Sequence, residues 1–314
     1  MPLIVSTYAF QISIAIAFWL LFVNAKREGP RWLWTLLWGI VFGYVVEAVN
    51  VHQTSPPPLY EYPDCLVDGH TVCVTKVAAW VPVGWGEILY MATWTSQRLR
   101  IKRWAKPVAA AFLAVNFDLT LDPVAQATGL WCWHPTANNR VNLFNVPFDN
   151  FLAWFFFVTI YAASARIFLR KATPKDGALR NPWVDFWMAG LATLMALGGF
   201  MLVKMASGHL SVYSHDDGTL AGWLFIFVAV VASLFTWVHA LGSRRDRSVN
   251  WAPLAIPAYF HALSLVLVVA TGVWKDNPAV VIAIPSNLMI GFLLYAWPSL
   301  ESLFRSPGRE ATLE

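Results

Sequence analysis

Charge is what this sequence has least of. Only 13% of its 314 residues are Asp, Glu, Lys or Arg, where a soluble domain carries roughly 25%. Hydrophobic residues make up 58%, more apolar surface than one soluble core of this length can bury. Cysteine is also scarce. Three residues are too few for a disulfide framework and lack metal-ligand spacing. Cys65 and Cys73 share one loop; they would pair in an oxidising compartment and stay free thiols otherwise. There is no G-x-S-x-G elbow and no Cys–His context for nucleophilic catalysis. There is no Rossmann or P-loop pattern and no clear internal repeat. His52, His70, His134, His209, His215, His239 and His261 are scattered, with no close pair on one helix face of the kind that holds haem or a metal pair. The net charge of +4 is small, and nucleic acid is not among the expected partners.

Long apolar runs are what remains. Runs of about 20 residues give nine candidate spans, at 3–24, 32–52, 77–97, 105–124, 148–169, 183–206, 219–241, 252–273 and 279–298. The first is too long for a signal-peptide core and is followed by Lys26, Arg27 and Arg31, so it reads as a retained span. The fold expected is an all-α, polytopic transmembrane bundle in a single integral membrane domain over 1–314. The multi-pass chain is expected in the cell (inner or plasma) membrane. Of 22 basic residues, 18 fall on the side of the loops after odd-numbered spans, which predicts the N-terminus outside and the C-terminus inside. The outer loops 53–76 and 125–147 are then long for so compact a protein and are expected to wall or cover a site.

Ionisable groups inside a membrane are costly and mark function by default. Glu47, Glu87, Asp118, Asp122 and Asp149 lie on four consecutive spans, and Lys204, His261 and Asn287 on later ones. Asp118 and Asp122 are one helical turn apart on one face. Two carboxyls so close in a low dielectric cannot easily both ionise, so the pair is expected to hold a proton, as a general acid must. Each acid could alternatively pair with a buried base or amide and hold helices together, but Lys204 and Arg140 are too few for all five. A metal reading is weaker. Asn116, Asp118 and Asp122, with His215, Asp216 and Asp217, echo the aspartate motifs of membrane prenyltransferases only at the wrong spacing, and the outer loops have no basic cluster for a diphosphate. Neither metal nor cofactor is expected.

The 18 tryptophans are the second signal. Most serve as interfacial or lipid-facing residues. Trp80, Trp85, Trp94, Trp131, Trp133 and Trp154, however, share the spans and loops of the acids. Aromatic faces stabilise a desolvated cation by about 2 kcal/mol or more. Acids, aromatic walls and an apolar cavity together suit protonation of an alkene and stabilisation of the carbocation.

Three stretches carry a resemblance: Asp118 and Asp122-Pro123; Gly129, Trp131 and Trp133; and Val146-Pro147 followed by Asn150, Phe151 and Trp154. Over about 40 residues these resemble the membrane carotenoid-biosynthesis proteins typified by bisanhydrobacterioruberin hydratase and the γ-carotene 1′-hydratases. A weaker echo runs through Glu47, Asn50, Tyr60, Tyr62 and Trp80-Val81-Pro82. The chain departs from that pattern at Leu143-Phe144-Asn145, where the family has Tyr-Tyr-Gly, and at Ala153, where it has Gly.

The resemblance implies cofactor-independent addition of water to a terminal isoprenoid double bond, with a lipophilic isoprenoid substrate drawn from the bilayer. Asp118 or Asp122 would donate the proton. Glu47, Glu87, or Asp149 with Asn150 would orient the water. Trp80, Trp131, Trp133, Phe144, Trp154, Tyr60 and Tyr62 would line the substrate site. A protonation-initiated cyclase, a proton- or cation-coupled transporter and a non-catalytic subunit of a carotenoid-modifying complex remain open alternatives, as do a homo-oligomer and a carotenoid-enzyme partner.

Overall fold

The computed structural model describes residues 2–52, 60–65, 71–99, 101–134, 142–171, 181–209, 252–275 and 278–295. These form eight α-helices: α1 (Pro2–Glu28), α2 (Pro30–His52), α3 (Trp80–Arg98), α4 (Lys106–Thr128), α5 (Phe148–Lys171), α6 (Pro182–His209), α7 (Ala252–Thr271) and α8 (Ala279–Tyr295). Each coincides with one expected apolar run; the run at 219–241 lies outside the described residues. Among the described residues, five stretches are long and apolar enough to cross a membrane: Ser6–Glu28, Pro30–His52, Arg103–Thr128, Asn150–Phe168 and Pro182–Met205. Shorter apolar helices run over Ala255–Thr271 and Val280–Gly291. The chain is a multi-pass helical membrane protein.

Helix α3 is not among the five. Its 19 residues include Gly84, Gly86, Glu87, Thr93, Thr95 and Ser96, which lower its hydropathy, and 14 of the 19 are buried by neighbouring helices. The run expected from residue 77 also starts later as a helix, because Val77–Ala78 forms a short strand before Trp80.

The helices are not the whole architecture. Among the described residues, three two-residue antiparallel ladders lie in the loops: β1 (Tyr60–Glu61) with β4 (Cys132–Trp133), β2 (Cys73–Val74) with β3 (Val77–Ala78), and β5 (Asn142–Leu143) with β6 (Val146–Pro147). The first ladder matters most, because it ties the loop after α2 to the loop after α4. Cys65 and Cys73 form a disulfide within the first of these loops, and Cys132 is free.

Small residues let α2 and α3 approach closely, as is common where helices pack in lipid. Gly39 and Gly43 are one turn apart on α2. A Cβ at Gly39 would lie 3.1 Å from Gly86 Cα, and one at Gly43 would lie 2.3 Å from Trp85 Cβ. This contact places Trp85 against the next turn of α2, where Glu47 stands. At the other end of the bundle, Arg98 of α3 pairs with Glu28 of α1 at 2.7 Å and lies over the Trp94 ring at 3.6 Å.

Helix α4 runs through Pro123. Proline lacks the N–H that would bond Leu119 O. Asn287 of α8 supplies the missing donor, its Nδ2 reaching Leu119 O at 3.2 Å. Gly129, at φ +78°, ends α4 in the left-handed conformation that glycine adopts at low cost.

The substitution Gly43→Ala is expected to push α2 and α3 apart at Trp85. Thermal unfolding in detergent should show a loss of about 1–3 kcal/mol, the usual cost of overpacking, whereas Gly198→Ala, where a Cβ meets nothing within 4 Å, should be close to neutral.

Candidate functional site

The α2–α3 contact and the loop ladder border a partly open pocket, whose non-atom space, open part included, is about 640 Å³. Glu47 of α2, Glu87 of α3, Asp122 of α4 and Asn150 of α5 line it, with Tyr60 and Tyr62 from the first loop and Trp131 and Trp133 from the second. Trp80 and Trp85 of α3 and Trp154 of α5 complete the aromatic wall. Ile14, Gly84, Phe117, Leu121 and Phe260 fill much of the rest.

Its acids occupy three different environments. Glu47 accepts three hydrogen bonds: Tyr60 Oη and Tyr62 Oη donate to its Oε2 at 2.5 and 2.7 Å, and Trp85 Nε1 donates to its Oε1 at 2.8 Å. Burial, reinforced by the charge of Glu47, pushes both phenols well above the ordinary tyrosine range, so they remain donors in alkaline solution. Asp118 and Asp122 share one donor: Asn150 Nδ2 donates to Oδ2 of both, at 3.2 Å for Asp118, while Asp118 Oδ1 is buried without a hydrogen-bond partner among the described residues. Asp122 faces the cavity, and Asp118 lies behind it, wholly buried. Glu87 is 1% exposed, and its Oε1 has no hydrogen-bond partner among the described residues.

The aromatic rings form a connected wall. Trp80 stacks on Trp131 at 6.1 Å between centroids, and Trp85 on Trp154 at 4.0 Å. Tyr60 packs against Trp133 at 4.9 Å and edge-on against Tyr62, which meets Trp131 edge-on.

Thus Glu47, Glu87, Asp122, Asn150, Trp80, Trp131, Trp133, Trp154, Tyr60 and Tyr62 share one cavity, with Asp118 one layer back. Phe144 is not among the lining residues. It sits at φ +54° beside Asn145 at φ +66° in the two-residue β5–β6 turn. Both positions need positive φ in a hairpin turn of this kind, and Asn at the second tolerates the conformation that Gly would take. The side chain of Asp149 lies outside the described residues, as do Arg140, His70, His215, Asp216, Asp217 and His239. Among the described residues no three His, Cys, Asp or Glu are grouped to hold a metal ion.

Trp85 carries more than its place among the acid-bearing spans implies, since it both fixes Glu47 and stacks on Trp154. Ile14 and Phe260 were not singled out by sequence reasoning, for apolar residues in apolar helices carry no mark of facing a cavity.

A second polar cluster lies on a neighbouring face of α4. His261 Nδ1 and Thr120 Oγ1 are 2.9 Å apart, Asn287 Nδ2 donates to Thr120 Oγ1 at 3.2 Å, and Asn116 Nδ2 donates to Asn287 O at 3.1 Å. Phe117, edge-on to His261 at 6.1 Å, separates this cluster from the cavity.

Removing either phenol from Glu47 deprives a buried acceptor of one donor. Tyr60→Phe and Tyr62→Phe are each expected to cost about 1.5–3 kcal/mol, the range for hydrogen bonds to a charged group, read from unfolding of the purified protein.

Residues 5–212 match a family model described as carotenoid biosynthesis protein. Neither a curated protein nor a solved structure matches the chain. The matched stretch contains every cavity-lining residue named above except Phe260, and it covers well over half of the sequence. This multi-pass membrane protein belongs to the carotenoid biosynthesis protein family, with a role in carotenoid metabolism.

Proposed function

We propose that the protein adds water to a terminal isoprenoid double bond of a carotenoid or related polyene. The observation that carries this reading is the cavity itself: acids in distinct environments face a wall of indole and phenol rings. An alkene without an activating group can be protonated only by an acid placed against it in a site that also stabilises the cation formed. The tertiary cation from a terminal isoprene unit would lie against Trp80, Trp131, Trp133 and Trp154. Each aromatic face contributes about 2 kcal/mol or more once water is excluded. Capture by a water molecule gives a tertiary alcohol. Glu47, Glu87, Asp118, Asp122, Asp149 and Asn150 are the groups proposed to manage the proton and the water, with Tyr60 and Tyr62 fixing Glu47. No cofactor enters the scheme.

The membrane arrangement belongs to the same proposal. Nine spans in one domain over 1–314, N-terminus outside and C-terminus inside, would put the cavity in the outer half of the cell membrane. The basic residues Lys26, Arg27, Arg98, Lys102, Arg103 and Lys106 lie toward the opposite end of the helices, which supports this orientation. The Cys65–Cys73 disulfide agrees with an oxidising compartment on the cavity side. Loops 53–76 and 125–147, joined by the β1–β4 ladder, would roof the site, and the lipophilic substrate would reach it from the bilayer.

The test is expression in a host that accumulates lycopene-type carotenoids, with pigments resolved by chromatography and mass. A product heavier by one water per modified end is expected. Asp122→Asn should lower its yield at least about 100-fold, the scale of acid–base catalysis, and Trp131→Leu about tenfold or more through the lost cation contact. An isomer of unchanged mass would replace hydration by cyclisation. Unchanged pigments, with solute movement in liposomes carrying the purified protein, would replace it by transport.

A further inference from the structure

The acids on the cavity wall differ in what holds them, and the difference divides the chemistry between them. Both oxygens of Glu47 are engaged by three donors. With both oxygens taken by its own donors, Glu47 has no free oxygen from which to hand a proton to a substrate. Asp118 and Asp122, one helical turn apart, share the Asn150 amide, which donates to Oδ2 of each. Two buried carboxyls held this close by one amide do not readily both ionise, so the pair as a unit holds one proton and keeps one negative charge. Glu87 has none of this support. Its Oε1 is buried and unpartnered among the described residues, yet the residue lines the cavity. An unpaired charge in an apolar bundle is the costliest arrangement open to a carboxyl, and the neutral acid avoids it. Where two acids of one site sit in environments this unlike, the proton-bearing one acts as acid and the charged one as base.

Resting on the hydration reading above, we propose that Glu87 is the acid that protonates the alkene and that the aspartate pair, through Asp122, is the base that deprotonates the attacking water. The π electrons of the terminal double bond take the Glu87 proton, leaving the Glu87 carboxylate and a tertiary cation. A water lone pair forms the C–O bond, and Asp122 takes the proton released. The aspartate pair then holds two protons and Glu87 none. Transfer of one proton back to Glu87 restores the starting state, with one water added overall. The resemblance described above places the donated proton on the aspartates, so the two assignments make opposite predictions.

Purified protein assayed in D2O with a lycopene-type polyene separates them. Both the alcohol formed and deuterium in the recovered alkene are measured by mass spectrometry. Protonation and its reversal need only the acid, while alcohol formation needs acid and base. Asp122→Asn is therefore expected to lose alcohol at least about 100-fold yet still wash deuterium into the recovered alkene. Glu87→Gln should lose both. Glu87→Asp keeps a carboxyl one methylene shorter, and partial recovery of exchange there shows that the loss in Glu87→Gln is not a folding defect. Full alcohol formation by Glu87→Gln, or exchange in Glu87→Gln with none in Asp122→Asn, overturns the assignment. A wild-type protein that gives a cyclic isomer with Glu87-dependent exchange leaves Glu87 as the donor and removes only the water step. A wild-type protein giving neither product nor exchange overturns both the assignment and the hydration reading.

Discussion

A carboxyl group inside a lipid-embedded bundle has no water to satisfy it, and Glu47 meets that constraint with donors from three separate parts of the chain. Trp85 comes from α3, and Tyr60 and Tyr62 from the loop beyond α2. The three bonds fix more than the acid. They set the height of α3 against α2, which the glycine contact at Gly39, Gly43 and Gly86 makes close enough for the indole to reach. They also hold the first loop down over the helix ends. Because β1 of that loop pairs with β4, Trp131 and Trp133 of the second loop are carried to the same place. The cavity is thus a consequence of how one buried acid is paired.

The same low dielectric that makes an unpaired charge costly strengthens every electrostatic interaction within the cavity. An aromatic wall that contributes little to holding a cation in water contributes much more here. The stacked pairs Trp80–Trp131 and Trp85–Trp154 join rings from helices and loops into a rigid surface. Rigidity is what such a site requires, since a preorganised wall stabilises a short-lived cation without having to rearrange. Both halves of the proposed reaction, proton transfer and cation stabilisation, would therefore depend on one feature, the exclusion of water by packed rings.

Much of this was legible in the sequence, for a definite reason. An acid in an apolar run stands out because the membrane penalises it, so Glu47, Glu87, Asp118 and Asp122 could be read as one polar group before any coordinates. The helices were equally plain from hydropathy, apart from the start of α3, where Val77–Ala78 pairs with Cys73–Val74 instead of joining the helix. Long-range pairings left no such trace. The β1–β4 ladder is two residues long and joins segments about 70 positions apart, too short for any alternation to show. Phe144, an aromatic beside the site motif, belongs instead to a turn whose positive φ values no hydropathy pattern encodes. Trp85 was marked only by sharing a span with an acid; its bond to Glu47, 38 positions away, left no trace.

Helix α4 shows how the rest of the chain serves the site. The cavity-facing Asp122 is followed directly by Pro123, so the turn that must be held most firmly lacks one of its own hydrogen bonds. In a soluble protein water would take the vacant Leu119 carbonyl; in a bundle another helix must. Asn287 does so, and it also reaches Thr120, which His261 holds from α7. Both braces come from beyond residue 212, where the family match ends, as does the cavity residue Phe260. The matched region supplies the acids and most of the rings. The C-terminal helices keep the proline-interrupted turn wound, and that holds Asp122 against Asn150.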